Sequence, residues 1–206
     1  MPSFVPQSSR SLPVLRRGEA GFSLLEVLIS IVIILLGLLG LAGLVVRSQQ
    51  VEMEAYQRVQ AVALVQDMVD RINANRKAAT CYSNGTTGIT LGTGAGAPPA
   101  CGTGTAEERA RADADLAAWN NLLLGTAEKL SGTDVGAMIG AQGCITYDNT
   151  TEIPGAAGTG VYTVTVVWQG FVATAESPNP CGLNDFGDNS LRRVATATLR
   201  IARLGV

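Results

Sequence analysis

Residues 21–26 of this chain read Gly-Phe-Ser-Leu-Leu-Glu, and an apolar run over residues 27–46 follows directly. Glu26 is the only charged residue in this whole stretch. As a helix, residues 22–46 would be about 37 Å long, enough to cross a hydrocarbon core about 30 Å thick. A carboxylate at the start of such a helix is unfavourable unless another group pairs with it. The stretch therefore predicts a membrane helix in which Glu26 has a specific role.

The segment before this helix is short, polar and basic. It contains three arginines against one glutamate, whereas a single arginine closely follows the apolar run. This asymmetry predicts that the N-terminus stays in the cytoplasm and that residues from 47 onward are translocated. A secretory signal places its small-residue cleavage site after the apolar region. Here Gly21 precedes that region, so cleavage after Gly21 would keep the helix and create a new amine on Phe22.

This pattern resembles the class III signal of type IV prepilins and pseudopilins: a glycine, then a phenylalanine, then a glutamate four residues after the phenylalanine, all ahead of a long apolar run. The resemblance implies that a prepilin peptidase cuts between Gly21 and Phe22, that the Phe22 amine is methylated, and that Glu26 acts in filament assembly. Phe22 and Glu26 would share one helix face because they are four residues apart. In low dielectric, Glu26 of one subunit could pair strongly with the new amine of a neighbour. The alternative is a plain signal anchor with an incidental glutamate.

The helix is expected to continue beyond the apolar run, because no proline or glycine occurs between residues 47 and 78. The pattern predicts one helix from about Phe22 to Asn75, about 80 Å long. Its amphipathic part would carry a single apolar stripe. The predicted stripe consists of Val51, Ala55, Val59, Val62, Val65, Val69 and Ile72.

The remaining chain excludes several kinds of chemistry. It contains no histidine, which removes Ser-His-Asp and Cys-His nucleophile systems as well as histidine-ligated metals. The mildly acidic net charge of −2 gives no reason to expect direct nucleic-acid binding. We expect no cofactor and no metal. The loop over residues 184–189 has oxygen ligands near a glycine but lacks EF-hand spacing, so we interpret it as a turn or subunit contact.

Four cysteines, Cys81, Cys101, Cys144 and Cys181, all follow the membrane segment. An even number in an exported chain predicts two disulfides. A Cys81–Cys101 bridge would close a glycine-rich loop, and a Cys144–Cys181 bridge would join the strand region to a later loop. The other two pairings of four cysteines remain open.

The head is expected to combine one helix with an antiparallel sheet. Residues 105–108 (Thr-Ala-Glu-Glu) predict a capping box, and a helix over about residues 106–124 would bury Ala112, Leu116, Trp119 and Leu123. Its carboxylates are interpreted structurally, with Glu107 and Glu108 at the helix N-terminus and Asp113 and Asp115 on a solvated face. Period-two patterns predict strands over residues 89–91, 144–148, 160–169 and 194–202. The fold class is therefore α+β, with a long N-terminal helix, transmembrane in its first half, packed on a small antiparallel sheet.

Four segments follow: a cleaved leader (1–21), a transmembrane and filament-core helix (22–46), its amphipathic continuation (47–78) and a disulfide-containing head (79–206). The N-terminal motif, residues 115–119 (Asp-Leu-Ala-Ala-Trp), residues 167–170 (Val-Trp-Gln-Gly) and the late Cys181 are similar to PilV-type minor pilins. This similarity implies a structural subunit that primes pilus assembly near the tip and supports motility or adhesion. Implied partners are other pilins, the prepilin peptidase, the assembly platform and, before assembly, the lipid bilayer. The implied location is the bacterial inner membrane with a periplasmic head, and then the pilus.

Three alternatives differ in what the head does. A minor pseudopilin of a type II secretion system shares the same signal and stem. A membrane-tethered adhesin or DNA-binding module would bind a ligand directly through its head. A tethered periplasmic enzyme would need a catalytic constellation, and no complete one is present in the sequence.

Overall fold

The computed structural model describes residues 21–126, 129–134 and 138–202. The predicted leader lies outside these residues except for Gly21. The chain divides into two compact units, residues 1–47 and 48–206. Its elements in order are α1 (Leu24–Ala74), a 3-10 helix (Arg76–Ser83), β1 (Ile89–Gly92), α2 (Ala106–Leu123), β2 (Lys129–Leu130), β3 (Thr133–Asp134), β4 (Gln142–Asp148), β5 (Val161–Gln169) and β6 (Arg192–Arg200).

The first unit consists, in its described part, of the start of α1 and the residues just before it. Its apolar side chains are exposed throughout; Leu39, for example, is 70% exposed. Among the described helices, α1 is the one long and apolar enough to cross a membrane by length and composition. A helix that is apolar on all sides needs lipid or other helices around it.

The second unit packs the last part of α1 and all of α2 on one face of a four-stranded antiparallel sheet. The strand order is β1-β4-β5-β6. In register, Val164 of β5 lies between Ile145 of β4 and Ala197 of β6. This arrangement confirms the predicted α+β class and all four predicted strands, with ends shifted by up to two residues. A separate short hairpin pairs β2 with β3.

The core lies between the helices and the inner face of the sheet. The predicted apolar face of α2 is confirmed, because Ala112, Leu116, Trp119 and Leu123 are completely buried. The Trp119 indole donates a hydrogen bond of 2.9 Å to the Leu64 carbonyl of α1. The predicted capping box is also formed, with Thr105 and Glu108 each accepting from the other's backbone amide. These contacts fix α2 against α1.

The predicted stripe on α1 is wrong in its first half. The side chains of Val51, Val59 and Val62 are 63%, 69% and 52% exposed. Only the last three members of the predicted stripe are buried, and the helix instead buries Gln57, Ala61, Val65, Met68, Val69 and Ile72. These positions follow the steps of three and four residues that define one helix face. The sequence contains two such faces, and the head covers the one that includes the polar Gln57.

Candidate assembly helix and head contacts

The residues around the predicted cleavage point lie at the start of α1. Backbone amides of Glu26 and Val27 donate to the Ser23 carbonyl at 3.0 and 3.2 Å, so the helix begins directly after Ser23. Glu26 lies in the first turn, where a carboxylate is favoured by the positive end of the helix dipole. The Ser30 hydroxyl donates to the Glu26 carbonyl oxygen at 2.7 Å.

Phe22 precedes the helix and is 83% exposed. The shared helix face expected for Phe22 and Glu26 is therefore not formed in this uncleaved chain, because the backbone becomes helical only at Leu24. A Cβ atom at Gly21 would meet nothing within 4 Å. Packing within the described residues therefore gives no reason for glycine at position 21.

A network of polar side chains joins α1, α2 and the 3-10 helix. Arg71 of α1 contacts Asp67 in its own helix at 2.8 Å and Asp115 of α2 at 2.9 Å. The Tyr82 hydroxyl donates to the other Asp115 oxygen at 2.6 Å. The Asn75 amide donates to the Tyr82 oxygen at 3.3 Å and to the Glu108 carbonyl at 2.8 Å.

The expectation that Asp113 and Asp115 lie on a solvated face is wrong. The Asp115 side chain is only 15% exposed and accepts hydrogen bonds from two elements. Asp113 accepts a hydrogen bond of 2.8 Å from the Cys101 amide and so holds the loop before α2. The helix pattern predicted which residues face the core, but it does not specify partners that come from another element.

The electrostatics of this network follow from burial. Desolvation, and then the hydrogen bond to the Asp115 carboxylate, raise the pKa of Tyr82 well above its usual value. The hydrogen bond to Asp67 raises the pKa of Arg71. Tyr82 therefore keeps its hydroxyl proton and Arg71 its positive charge, as the hydrogen bonds of the network require. The network is a structural clamp between helices, with every polar group named here satisfied.

A second polar contact joins α1 to the loop after β5. The Glu54 carboxylate accepts hydrogen bonds from the amides of Phe171 and Val172 at 2.9 and 3.3 Å. It also contacts the Arg193 guanidinium at 3.2 Å. Arg193 in turn donates to Val172, Thr174 and Ser190. The sequence analysis missed this contact, since Glu54 is one of two nearby acids on a helix and nothing in the pattern separates it from Glu52.

The four cysteines form the pairs Cys81–Cys101 and Cys144–Cys181. The second pair anchors a long loop to the outer face of the sheet. Arg192, only 2% exposed, supports the same loop by donating to the carbonyls of Ser177, Asn179 and Cys181. A buried guanidinium is tolerated here because its two terminal nitrogens donate hydrogen bonds to three carbonyl oxygens. Cys144, Val167, Cys181 and Phe186 form a small second core beneath the loop.

The loop over residues 184–189 holds itself by side-chain contacts. The backbone N–H of Asn184 donates to the side-chain oxygen of Asn189 at 2.9 Å. The side-chain nitrogen of Asn189 donates in return to the side-chain oxygen of Asn184 at 3.0 Å. Asp188 accepts from the Ser190 amide at 2.9 Å. Across the described ranges, no three histidine, cysteine or carboxylate side chains are grouped to hold a metal.

Two family models match the chain. Residues 43–117 match a model described as Type IV pilin Tt1218, and residues 16–42 match the prokaryotic N-terminal methylation motif. Searches of curated proteins and of solved structures found no match. Neither match covers half of the chain, and both are consistent with a type IV pilin or pseudopilin role. The type IV pilin family is a structural one. The long apolar helix packed on a small antiparallel sheet is consistent with the α+β fold of that class.

Proposed function

We propose that the chain is a minor pilin that helps to prime assembly of a type IV pilus and takes a place in its tip complex. The observation that carries the proposal is the N-terminal arrangement. Gly21, Phe22 and Glu26 lie at the start of a helix whose exposed apolar part continues, without a break, into the helix that supports the head. An exposed apolar helix of this kind can exchange lipid for other helices.

The proposed processing step follows from the same residues. A prepilin peptidase cuts between Gly21 and Phe22 on the cytoplasmic side, and the new Phe22 amine is methylated. Among the described residues nothing lies within 4 Å of a Cβ atom at Gly21, which is compatible with a glycine that is required for recognition by the peptidase. Glu26 then pairs with the Phe22 amine of a neighbouring subunit, because two opposite charges attract strongly in low dielectric.

The proposed location and partners follow from the order of the segments. Before assembly the protein spans the inner membrane once, with its N-terminus in the cytoplasm and its disulfide-bonded head in the periplasm. Residues 22–46 later pack against other minor and major pilins under the action of the inner-membrane assembly platform. The head has no proposed nucleic-acid ligand. Motility and adhesion depend on the subunit through the pilus.

The processing proposal is tested by the mass of the mature protein. The chain is expressed with a prepilin peptidase, and the N-terminal peptide is measured for the wild type, Gly21→Leu and Glu26→Ala. We expect N-methylated Phe22 in the wild type and an uncleaved precursor for Gly21→Leu. Glu26→Ala should insert in the membrane but fail to join filaments. Normal cleavage of Gly21→Leu would contradict the signal assignment, and normal filaments with Glu26→Ala would contradict the pairing.

The choice of a minor subunit in a pilus is tested in the native cell. Deletion of the gene should reduce surface pili, and the tagged subunit should appear at the ends of sheared pili in small numbers. Uniform labelling along the filament would identify a major subunit instead. Normal pili together with loss of protein secretion would identify a pseudopilin of a type II secretion system.

A further inference from the structure

The strand β6 forms an edge of the sheet that no described segment covers. Within residues 21–126, 129–134 and 138–202, the main chain of residues 194–200 hydrogen bonds only to β5. Half of the backbone N–H and C=O groups of such a strand point away from its neighbour and are available to another strand. The opposite edge is different, because Asn120 of α2 accepts a hydrogen bond from the Gly92 amide of β1 at 2.8 Å.

The core is also open along β6. The inward side chains of β5, such as Tyr162 and Val164, are completely buried. The inward side chains of β6, Ala195, Ala197 and Leu199, are only partly buried. The inner face of the sheet is therefore less covered at β6 than at β5.

The exposed apolar stripe of α1, formed by Val51, Ala55 and Val59, lies near the start of β6. Val51 and Ala55 line a cavity of about 400 Å³ together with Trp168 and Val194, the residue near the start of β6. Val59 continues the exposed stripe in steps of four residues and is 69% exposed. A strand added to β6 would turn alternate side chains toward the inner face of the sheet, where apolar residues are required.

The charges on and near β6 determine which kind of strand can pair with its outer edge. Residues 189–206 contain four arginines and no aspartate or glutamate, although the whole chain has a net charge of −2; Arg192 is buried, which leaves Arg193 and Arg200 as the more exposed arginines of β6. Arg193 is paired with Glu54. Arg200 is exposed on the outer face of β6, where its guanidinium donates to the Thr151 carbonyl and has no carboxylate partner among the described residues. A second copy of β6 would bring only further cations to this edge, and like charges on neighbouring strands are unfavourable. A strand from a different protein fits this edge if it places apolar side chains on the inner face and carries acidic residues.

We infer that the outer edge of β6 is a docking site for an extended, acidic segment of another protein, which adds a fifth strand to the sheet. The segment alternates apolar residues, facing the inner side beside Ala195 and Leu199, with polar or acidic residues near Thr198 and Arg200. Main-chain hydrogen bonds supply its affinity and the alternating side chains its specificity. This interaction is separate from filament packing through α1 and goes beyond the proposed assembly role.

The test uses the full chain in detergent micelles and three synthetic peptides matched to β6 in length. The first alternates valine and threonine with glutamate at both ends. The second is the same peptide with alternate backbone nitrogens methylated along one edge, which removes donors and blocks pairing. The third replaces glutamate with lysine. Amide hydrogen exchange locates the site, and a fluorescence titration gives the affinity.

The acidic peptide is expected to slow exchange at least tenfold at the outward amides of residues 194–200. The N-methylated peptide should bind at least tenfold more weakly. Arg200→Glu should weaken the acidic peptide about two- to fivefold and favour the lysine peptide, because a cross-strand charge pair changes sign. Circular dichroism checks that this variant is folded.

Four results of the peptide experiments would overturn the inference. These are no binding of the acidic peptide at millimolar concentration, equal binding of the N-methylated peptide, protection outside β6, or affinities that ignore peptide charge. A dimer in which the outward amides of β6 are already protected before peptide is added would also overturn it, because the occupant would then be a second copy. The peptide comparison needs no protein variant, so failure of Arg200→Glu to fold leaves the test intact.

Discussion

The hydroxyl of Tyr82 donates a hydrogen bond of 2.6 Å to Asp115 across the interface between the 3-10 helix and α2. Tyr82 is completely buried, and Asp115 is also paired with Arg71 of α1. One carboxylate therefore ties together three helical elements that are distant in sequence. Such a network is stabilising only while all its members are present, because a buried polar group without a partner is costly.

Replacing Tyr82 with phenylalanine should lower the free energy of unfolding by about 1.5–3 kcal/mol, since the lost hydrogen bond is to a charged group. The ring keeps its packing, so the change isolates the hydroxyl. Denaturant unfolding measures it, and Thr198→Ala, at an exposed position of β6, is the control. A loss in Tyr82→Phe no larger than in the control would mean that the network does not contribute to stability.

The same hydroxyl predicts a dependence on alkaline pH. Burial raises the pKa values of Tyr82 and Tyr162 above those of the unfolded chain. A raised folded-state pKa gives stability that is present below the unfolded value, about 10, and lost as the pH rises above it. The free energy of unfolding should therefore decline above about pH 10. Tyr82→Phe should make the decline shallower, and parallel pH curves for the two proteins would contradict this assignment.

Gly143 of β4 allows α2 to lie close to the sheet. A Cβ atom there would come within 2.2 Å of the Trp119 ring and 2.7 Å of Leu123, both of which are completely buried. Overpacking of this kind typically costs about 1–3 kcal/mol, so Gly143→Ala should lower the unfolding free energy by at least that amount. Gly96→Ala is the matched control, because nothing lies within 4 Å of its added methyl group. Equal thermal midpoints for the two variants would contradict the prediction.

The sequence predicted the secondary-structure elements better than it predicted the contacts between them. Period-two alternation located β5, and the buried face of α2 was predicted residue by residue, because each depends on local periodicity. The buried face of α1 was only partly predicted, since the helix carries a second apolar stripe through Val51 and Val59. Which stripe the head covers depends on where the sheet lies, and that is not encoded in the helix itself. Asp115 was predicted to face solvent for the same reason: the pattern of α2 does not show that Tyr82 and Arg71 of other elements lie beside it.

The contact between Glu54 and Arg193 gives the last prediction. Glu54 holds the backbone amides of Phe171 and Val172 while it pairs with Arg193, so its charge fixes the loop after β5 to α1. Glu54→Gln keeps the shape of the side chain but removes the charge, and charge-assisted hydrogen bonds are about twice as strong as neutral ones. The amides of Phe171 and Val172 should then exchange with solvent about tenfold faster.

Glu52→Gln is the matched control, because Glu52 is an exposed acid on the same helix and has no described contact with this loop. Hydrogen exchange should distinguish the two variants at these two amides, whereas amides of β5 such as that of Val164 should exchange at the wild-type rate in both. The exchange should accelerate locally because the loop can open without unfolding the sheet. If Glu54→Gln and Glu52→Gln give the same rates at Phe171 and Val172, the charge of Glu54 does not hold this loop.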